Sequence, residues 1–168
     1  MKLLFETFIF LLISATLFVL YQNYWDDVRA ALFSNTDEYT IYLGSVALAV
    51  SVADDEAERV QGLSGVPGLR DLEGKLFIFD TDAKQGIWMK DMQFPLDIIW
   101  IDRSLHIVHI EENVTPETYP KIFYPSSDAR FVLEMNARFV SSLRIKVGDV
   151  LTLPPSLIPA DIKADLQK

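Results

Sequence analysis

The residues best placed to do chemistry lie between Ile87 and Asp97, in the stretch IWMKDMQFPLD. A primary amine, Lys90, stands beside Trp88 and Met89, and a carboxylate, Asp97, follows Pro95. Side chains alternate along a strand, so Trp88 and Lys90 share one face while Met89 points to the other. A lysine over a tryptophan face is drawn to the ring quadrupole. Pro95 interrupts strand pairing, and the chain must turn before Asp97, which can cap that turn or meet Lys90 across it. The chemistry open to such a set is nucleophilic or general-base work by Lys90, with Asp97 or Glu134 as acid–base partner. The bland alternative is a solvated amine and a turn-capping carboxylate.

Other chemistry is narrowed by what the sequence holds. With zero cysteines there is no disulfide, thiolate metal site or thiol nucleophile. His106 and His109 lie three apart on an expected strand, so they point to opposite faces and cannot share a metal from it. No metal or cofactor is expected. The glycine-rich GLSGVPG, residues 62–68, follows a helix rather than a strand, which makes it a turn and not a phosphate cradle. Arg130 and Glu134 share a strand face about 13 Å apart, too far to bond each other. Phe131, Leu133 and Met135 take the core face of that strand, which leaves Arg130, Val132 and Glu134 to neighbouring strands or solvent; charges of this kind are usually exposed.

The elements that must position these residues are short and mostly extended. TIYLGSVALAV reads as a hairpin turning at Gly44-Ser45. Asp55 and Glu58 form a capping-box pattern for a short helix that Gly62 stops. Strands are expected at 75–80, 86–90, 98–102, 106–111, 130–135 and 149–153, with a further helical turn or two over 139–145. LFIFD and IIWID are apolar on both faces, as central strands are. The fold class is therefore mainly β: a compact β-sandwich or barrel-like domain over residues 39–153, with one or two short helices. The eighteen residues from Glu112 to Ala129 carry three prolines and three aromatics, the composition of a packed loop. Residues 154–168 read as a tail that leaves the domain.

The N-terminus differs in kind. From Leu3 to Tyr21 the only charge is Glu6. Nineteen residues make about 28 Å of helix, close to the ~30 Å hydrocarbon core of a bilayer. Tyr21, Tyr24 and Trp25 follow where an interfacial belt belongs. Residues 1–25 thus read as a membrane anchor through residues 3–21, and 26–38 as a polar spacer; a cleaved signal peptide is the rival, but no small-residue cleavage pair follows the apolar run. Lys2 before the span, and Asp26 and Asp27 with a single Arg29 after it, favour a C-terminal domain outside the cytoplasm. Residues 26–168 hold 14 Lys/Arg against 23 Asp/Glu, which gives no electrostatic footprint for nucleic acid or an anionic membrane surface.

WMKDMQFPLD also resembles the core motif of the domain of unknown function 192 family. Other matches come in that family's order: Arg59 with Gly62-Leu63, then GKLFIF at 74–79, Ile101-Asp102, Tyr124-Pro125-Ser126-Ser127, Val132-Leu133-Glu134 and Gly148-Asp149. The resemblance covers residues 46–153 and implies a compact β-rich domain, in many members behind a signal peptide or anchor. It implies no reaction. It groups Arg59, Trp88, Lys90, Asp97, Tyr124, Ser126 and Glu134 in one pattern. Departures are Asp91-Met92 where Asn-Thr is usual, Lys75 where Met is usual, and Ser104 and Arg144 where Gly is frequent. The expectation is a binding module for a small ligand such as an envelope saccharide, with Trp88, Lys90, Asp97, Tyr124 and Ser126 at the ligand and Arg59, Arg130 and Glu134 in a structural network. A hydrolase-like enzyme and a protein-interaction domain are the alternatives.

Overall fold

The computed structural model describes residues 10–24 and 38–166, and these fall in two units, Met1–Asn35 and Thr36–Lys168. In the first unit residues 10–24 are helical (α1) with exposed side chains. The hydroxyls of Ser14 and Thr16 donate to carbonyls of their own helix. Among the described residues no helix is long and apolar enough to cross a membrane. The expected anchor begins within residues 1–9, and nearly all of the spacer, 26–37, also lies outside the described residues.

The second unit is built on one sheet. A hairpin of β1 (Glu38–Leu43) and β2 (Val46–Ala53) turns at Gly44-Ser45 as expected, with Gly44 at φ 61. Helix α2 (Glu56–Gln61) starts at Asp55, whose carboxylate accepts from the Glu58 amide at 2.8 Å, and stops at Gly62, φ 50. Here a Cβ would press on the Phe77 ring at 3.3 Å, so glycine serves both the turn and the close packing. The chain then returns as β3 (Glu73–Ala83), parallel to β2. After it come β4 (Ile87–Trp88), β5 (Leu96–Ile101), β6 (Ile107–Val114), β7 (Ile122–Phe123) and β8 (Ala129–Asn136). Helix α3 (Phe139–Leu143), β9 (Leu151–Thr152) and helix α4 (Ala160–Leu166) complete it.

Seven strands form a single sheet in the order β6-β5-β8-β3-β2-β1-β9, and β4 pairs with β7 as a separate two-stranded ribbon. The sheet curls until its edges touch: His106 bridges Val150, and the Ile107 amide donates to the Asp149 carbonyl at 2.8 Å. The barrel-like alternative is thus the observed one; a second packed sheet, as a sandwich requires, is not what covers the core. Ile41, Leu48, Leu76, Ile99, Phe131 and Leu133 fill the concave side, each at most 1% exposed. Burial of each such side chain contributes about 1.5–3 kcal/mol, so this interior is the main source of stability.

Two expectations need correction. Residues after Pro154-Pro155 do not leave the domain: Leu157 and Ile162 are buried in the core cluster. Charge holds them there as well. Arg130 reaches Asp82 at 3.6 Å and Asp161 of α4 at 2.9 Å, and Arg103 reaches Asp82, Asp161 and Asp165 at 3.5, 3.7 and 2.7 Å. The outer face of β8 is not solvated either, for Arg130 and Glu134 are 6% and 4% exposed. β8 lies between β5 and β3, and segments around α2 and the β4–β7 ribbon cover its convex side.

The positive φ values explain some of the family departures. Asp91 has φ 55, a conformation that Asn and Asp accept more readily than most residues. Arg144 closes α3 at φ 56, ψ 36, where glycine carries no Cβ penalty. Its side chain is exposed. Arg144→Gly is therefore expected to raise stability by about 1 kcal/mol, read as a higher midpoint in urea with an unchanged slope; a lower midpoint would show that Arg144 is held by contacts rather than strained.

Candidate functional site

Strand register places one row of side chains across the convex face: Ser51 on β2, Lys75 on β3, Glu134 on β8 and Ile98 on β5. Glu134 is the group that stands out. Its Oε2 is buried and has no hydrogen-bond partner among the described residues, and Oγ of Ser51 is likewise without one among them. Burial pushes the Glu134 carboxyl up from 4.5 to about 8, with the nearby Lys75 ammonium pulling partly the other way. Burial also pulls Lys75 below its ordinary 10.5, against the attraction of Glu134 and Glu58. Neither cost is relieved by a close ion pair, as no Lys75–Glu134 contact within salt-bridge distance is formed among the described residues.

Glu134 lines a pocket of ≈ 50 Å³ together with Arg59, Phe77, Trp88, Lys90 and Met92. That is room for about one or two waters, or one small substituent of a larger molecule. Arg59 is fixed beside it by the carbonyls of Asp54 and Ile78 and by Asp80, with its guanidinium 5.6 Å from the Phe79 centroid. The Lys90 turn is fastened from below: Oγ of Ser64 donates to the Lys90 carbonyl at 2.8 Å, and the Gly65 amide to the Asp91 carbonyl at 3.0 Å. Lys90 itself makes no ion pair among the described residues, and its Nζ lies 5.9 Å from the Trp88 centroid. The strand alternation expected here holds, with Met89 1% and Trp88 42% exposed.

Beside the pocket the β4–β7 ribbon and the loop before it carry exposed aromatic side chains. Trp88 pairs in register with Ile122, and its ring meets Tyr119 edge-on at 6.1 Å. Tyr119, Ile122 and Tyr124 are 46%, 41% and 54% exposed. A Cβ on Gly86 would collide with the Tyr124 ring and Ile122 at 2.7 and 2.8 Å, so the absence of a side chain lets β7 lie close against the start of β4. The long loop is thus packed, as its composition implied, through β7 and a 3-10 turn at Pro116–Thr118.

Not every expected site residue arrives. Asp97 is fully buried on the concave side, where its two oxygens accept from the backbone amides of Asn113 and Val140, both at 2.8 Å. It neither meets Lys90 nor lines the pocket; it ties β5 to β6 and to α3. Ser126 donates to the Val108 carbonyl at 3.3 Å, and neither it nor Tyr124, which packs beside Gly86, is among the pocket residues. Arg130 belongs to the α4 clasp. His109 stacks edge-on with Trp100 at 5.4 Å while His106 bridges Val150, and the described residues hold no cluster of three metal-binding side chains. Lys75 and Ser51 are the members that sequence reasoning missed, although a lysine directly before the apolar LFIF run was a visible signal.

Comparison with known proteins places the chain. A family model, DUF192 ("uncharacterized ACR"), matches residues 40–153. The chain belongs to the domain of unknown function 192 family. A curated relative, UPF0127 protein TK1120 of Thermococcus kodakarensis, is 24% identical over 107 residues, 64% of this chain and 66% of that protein, just under two thirds of its length. A crystal structure from Sinorhizobium meliloti 1021, described provisionally as a transcription regulator, is 30% identical with a TM-score of 0.67, covering 70% of this chain and 95% of its own. One of unknown function from Novosphingobium aromaticivorans DSM 12444 is 26% identical with a TM-score of 0.62, covering 69% and 84%. The fold of the family is therefore shared, and the neighbours bring no established chemistry to the site.

Two outcomes test this geometry. Between pH 4.5 and about 8 the folded protein keeps a proton on Glu134 that the unfolded chain has released. Its contribution to stability is complete below that window and is lost as pH rises through it. Lys75 acts in the opposite sense, over a window that closes at its ordinary 10.5, because there the folded chain gives up its proton first. Glu134→Gln, which keeps the neutral shape, should gain in melting temperature over wild type as pH goes from about 5 to about 8; parallel curves would mean that Glu134 titrates normally. Asp97→Ala, by contrast, should cost about 3 kcal/mol by orphaning two buried amides, measured by urea unfolding; a near-neutral change would deny it the clasp role.

Proposed function

We propose that this chain is a small-ligand binding module, with its site at the Glu134 pocket and the Trp88–Lys90 rim. The carrying observation is a buried carboxyl residue, Glu134, that lines the pocket while its Oε2 has no hydrogen-bond partner among the described residues. Buried polar atoms are nearly always hydrogen-bonded, and a carboxyl short of partners beside a pocket is what a ligand group would satisfy. Trp88 supplies exposed ring surface at the pocket, continued by Tyr119 against its edge, and the fastened backbone of the Lys90 turn sets where its amine starts from.

The module is proposed to sit outside the cytoplasm on an uncleaved N-terminal anchor. The apolar run through residues 3–21 supports this, as do the Ser14 and Thr16 hydroxyls, which are satisfied within their own helix and make no demand for water. The formal charge of −9 argues against a nucleic-acid partner, so the provisional description of the Sinorhizobium relative is not carried over.

A second reading is favoured by one fact. Lys90 and a carboxyl that holds a proton near neutral pH line the same pocket, which is the equipment of a general acid and an amine. Asp97 is not available to that chemistry.

The test is a thermal-shift screen of the full chain, with saccharides, hydroxy acids, amines and nucleotides, repeated on Glu134→Leu and Lys90→Ala. A ligand that binds only the folded state must raise the melting temperature. The expected result is one class that shifts the wild type and not the variants. If no class shifts the wild type and Glu134→Leu is simply more stable, the pocket is a packing defect and the binding reading fails; a probe consumed over time by wild type alone would favour the enzyme.

A further inference from the structure

We infer that the ligand is a neutral, hydroxyl-bearing ring of the pyranose class, lying on Trp88 with one hydroxyl or hydroxymethyl group directed into the pocket toward the Glu134 carboxyl. This rests on the reading of the pocket as a binding site and goes on to name what it takes. Three features of the site carry it: the size of the pocket, the chemistry of its floor, and the surface of its rim.

Size comes first. A pocket of ≈ 50 Å³ cannot enclose a metabolite, so it receives one substituent while the rest of the molecule stays outside. The floor then selects that substituent. A cationic group would enter beside Arg59 on α2 and Lys90 after β4, with Lys75 next to Glu134 in register, and like charges repel. An anionic group fits only while Glu134 keeps its proton, and is repelled once that carboxyl ionises in a place with little solvent to screen it. On the β5 side the neighbour in register is Ile98, which offers no polar partner. A hydroxyl fits in either protonation state of Glu134, because it can both donate to and accept from a carboxyl group.

The rim selects what carries the hydroxyl. Trp88 is 42% exposed and its neighbours Tyr119 and Ile122 continue the same surface, so a flat apolar face has somewhere to lie. A pyranose has such a face: its axial C–H groups are weakly positive and meet the negative face of an aromatic ring favourably. Its hydroxyls point outward around the edge, and Lys90, 5.9 Å from the Trp88 centroid, is the nearest charged donor to them. Aliphatic alcohols would satisfy Glu134 but leave the aromatic surface uncovered.

The experiment uses the full chain in a detergent free of sugar headgroups, with ligand-observed saturation-transfer NMR at millimolar probe concentration. The probes are glucose, galactose, mannose and N-acetylglucosamine as neutral rings, their monodeoxy counterparts, glucosamine and glucuronate as charged rings, and propanediol as a chain. The expected result is binding of at least one neutral ring. Removing one particular hydroxyl should then weaken it by about tenfold or more, as loss of a hydrogen bond to a buried group does. That dependence should vanish in Glu134→Leu, and Trp88→Ala should abolish binding of every ring. Preference for glucuronate, glucosamine or propanediol, still sensitive to Glu134→Leu, overturns the ligand class while the pocket reading stands. Deoxy rings that bind as well as their parents overturn the insertion of a hydroxyl. No binding by any probe, with both variants folded, overturns the class and removes the pocket reading's support together.

Discussion

Everything distinctive about this domain follows from the burial of its central strands on both faces. A curled seven-stranded sheet needs only its concave side filled to be stable, and that side is filled by Ile41, Leu76, Ile99, Phe131 and their neighbours. The convex side of β3, β8 and β5 could have faced water. Instead Leu63, Ile87, Met89 and Phe123 are buried too, outside that core cluster, and Phe77, Val132 and Trp100, which share one register row, disappear from solvent. Because β8 is the middle of the five strands β6-β5-β8-β3-β2, any charge on its convex face is removed from water whether or not a partner is present. Glu134 and Arg130 are the two charges so placed.

Their fates differ for a local reason. Arg130 lies toward the end of the strand where Asp82 and the C-terminal helix converge, and it is answered by two carboxylates. Glu134 lies under the pocket, with Lys75 adjacent in register but not in contact. The protein therefore carries one clasp and one unsatisfied carboxyl on the same strand face. The clasp explains why α4 belongs to the domain. A carboxyl whose pKa burial raises to about 8 is costly to retain without a use, and its position under an aromatic rim gives that use a chemical direction.

The departures from the family pattern fit this frame. Asp91 replaces the usual Asn at a left-handed turn that accepts either, so the backbone beneath Lys90 is kept. Lys75 replaces an apolar residue inside the sheet, beside Glu134, and tunes the very group on which the site depends. Arg144 stands at a helix end better suited to glycine, and nothing in the pocket compensates for it.

Much of this was legible in the residues alone. Alternation put Trp88 and Lys90 on one face with Met89 inside, and put Arg130 and Glu134 together opposite Phe131, Leu133 and Met135. The Gly44 turn, the Asp55 cap and the central position of LFIFD and IIWID also followed from local rules, because turns, caps and period-two patterns are written in neighbouring residues. What lies beyond a strand's own period was not. Asp97 is close to Lys90 only along the chain; the fold turns it to the concave side, where amides from Asn113 and Val140 claim both oxygens. Lys75 met Glu134 only through the register of β3 on β8, two strands far apart in the chain, and the face they share was buried only when α2 and the ribbon closed over it. Sequence determined which way each side chain points along its strand; tertiary structure alone decided which of those faces would lose its water, and that loss is what made Glu134 a candidate for function.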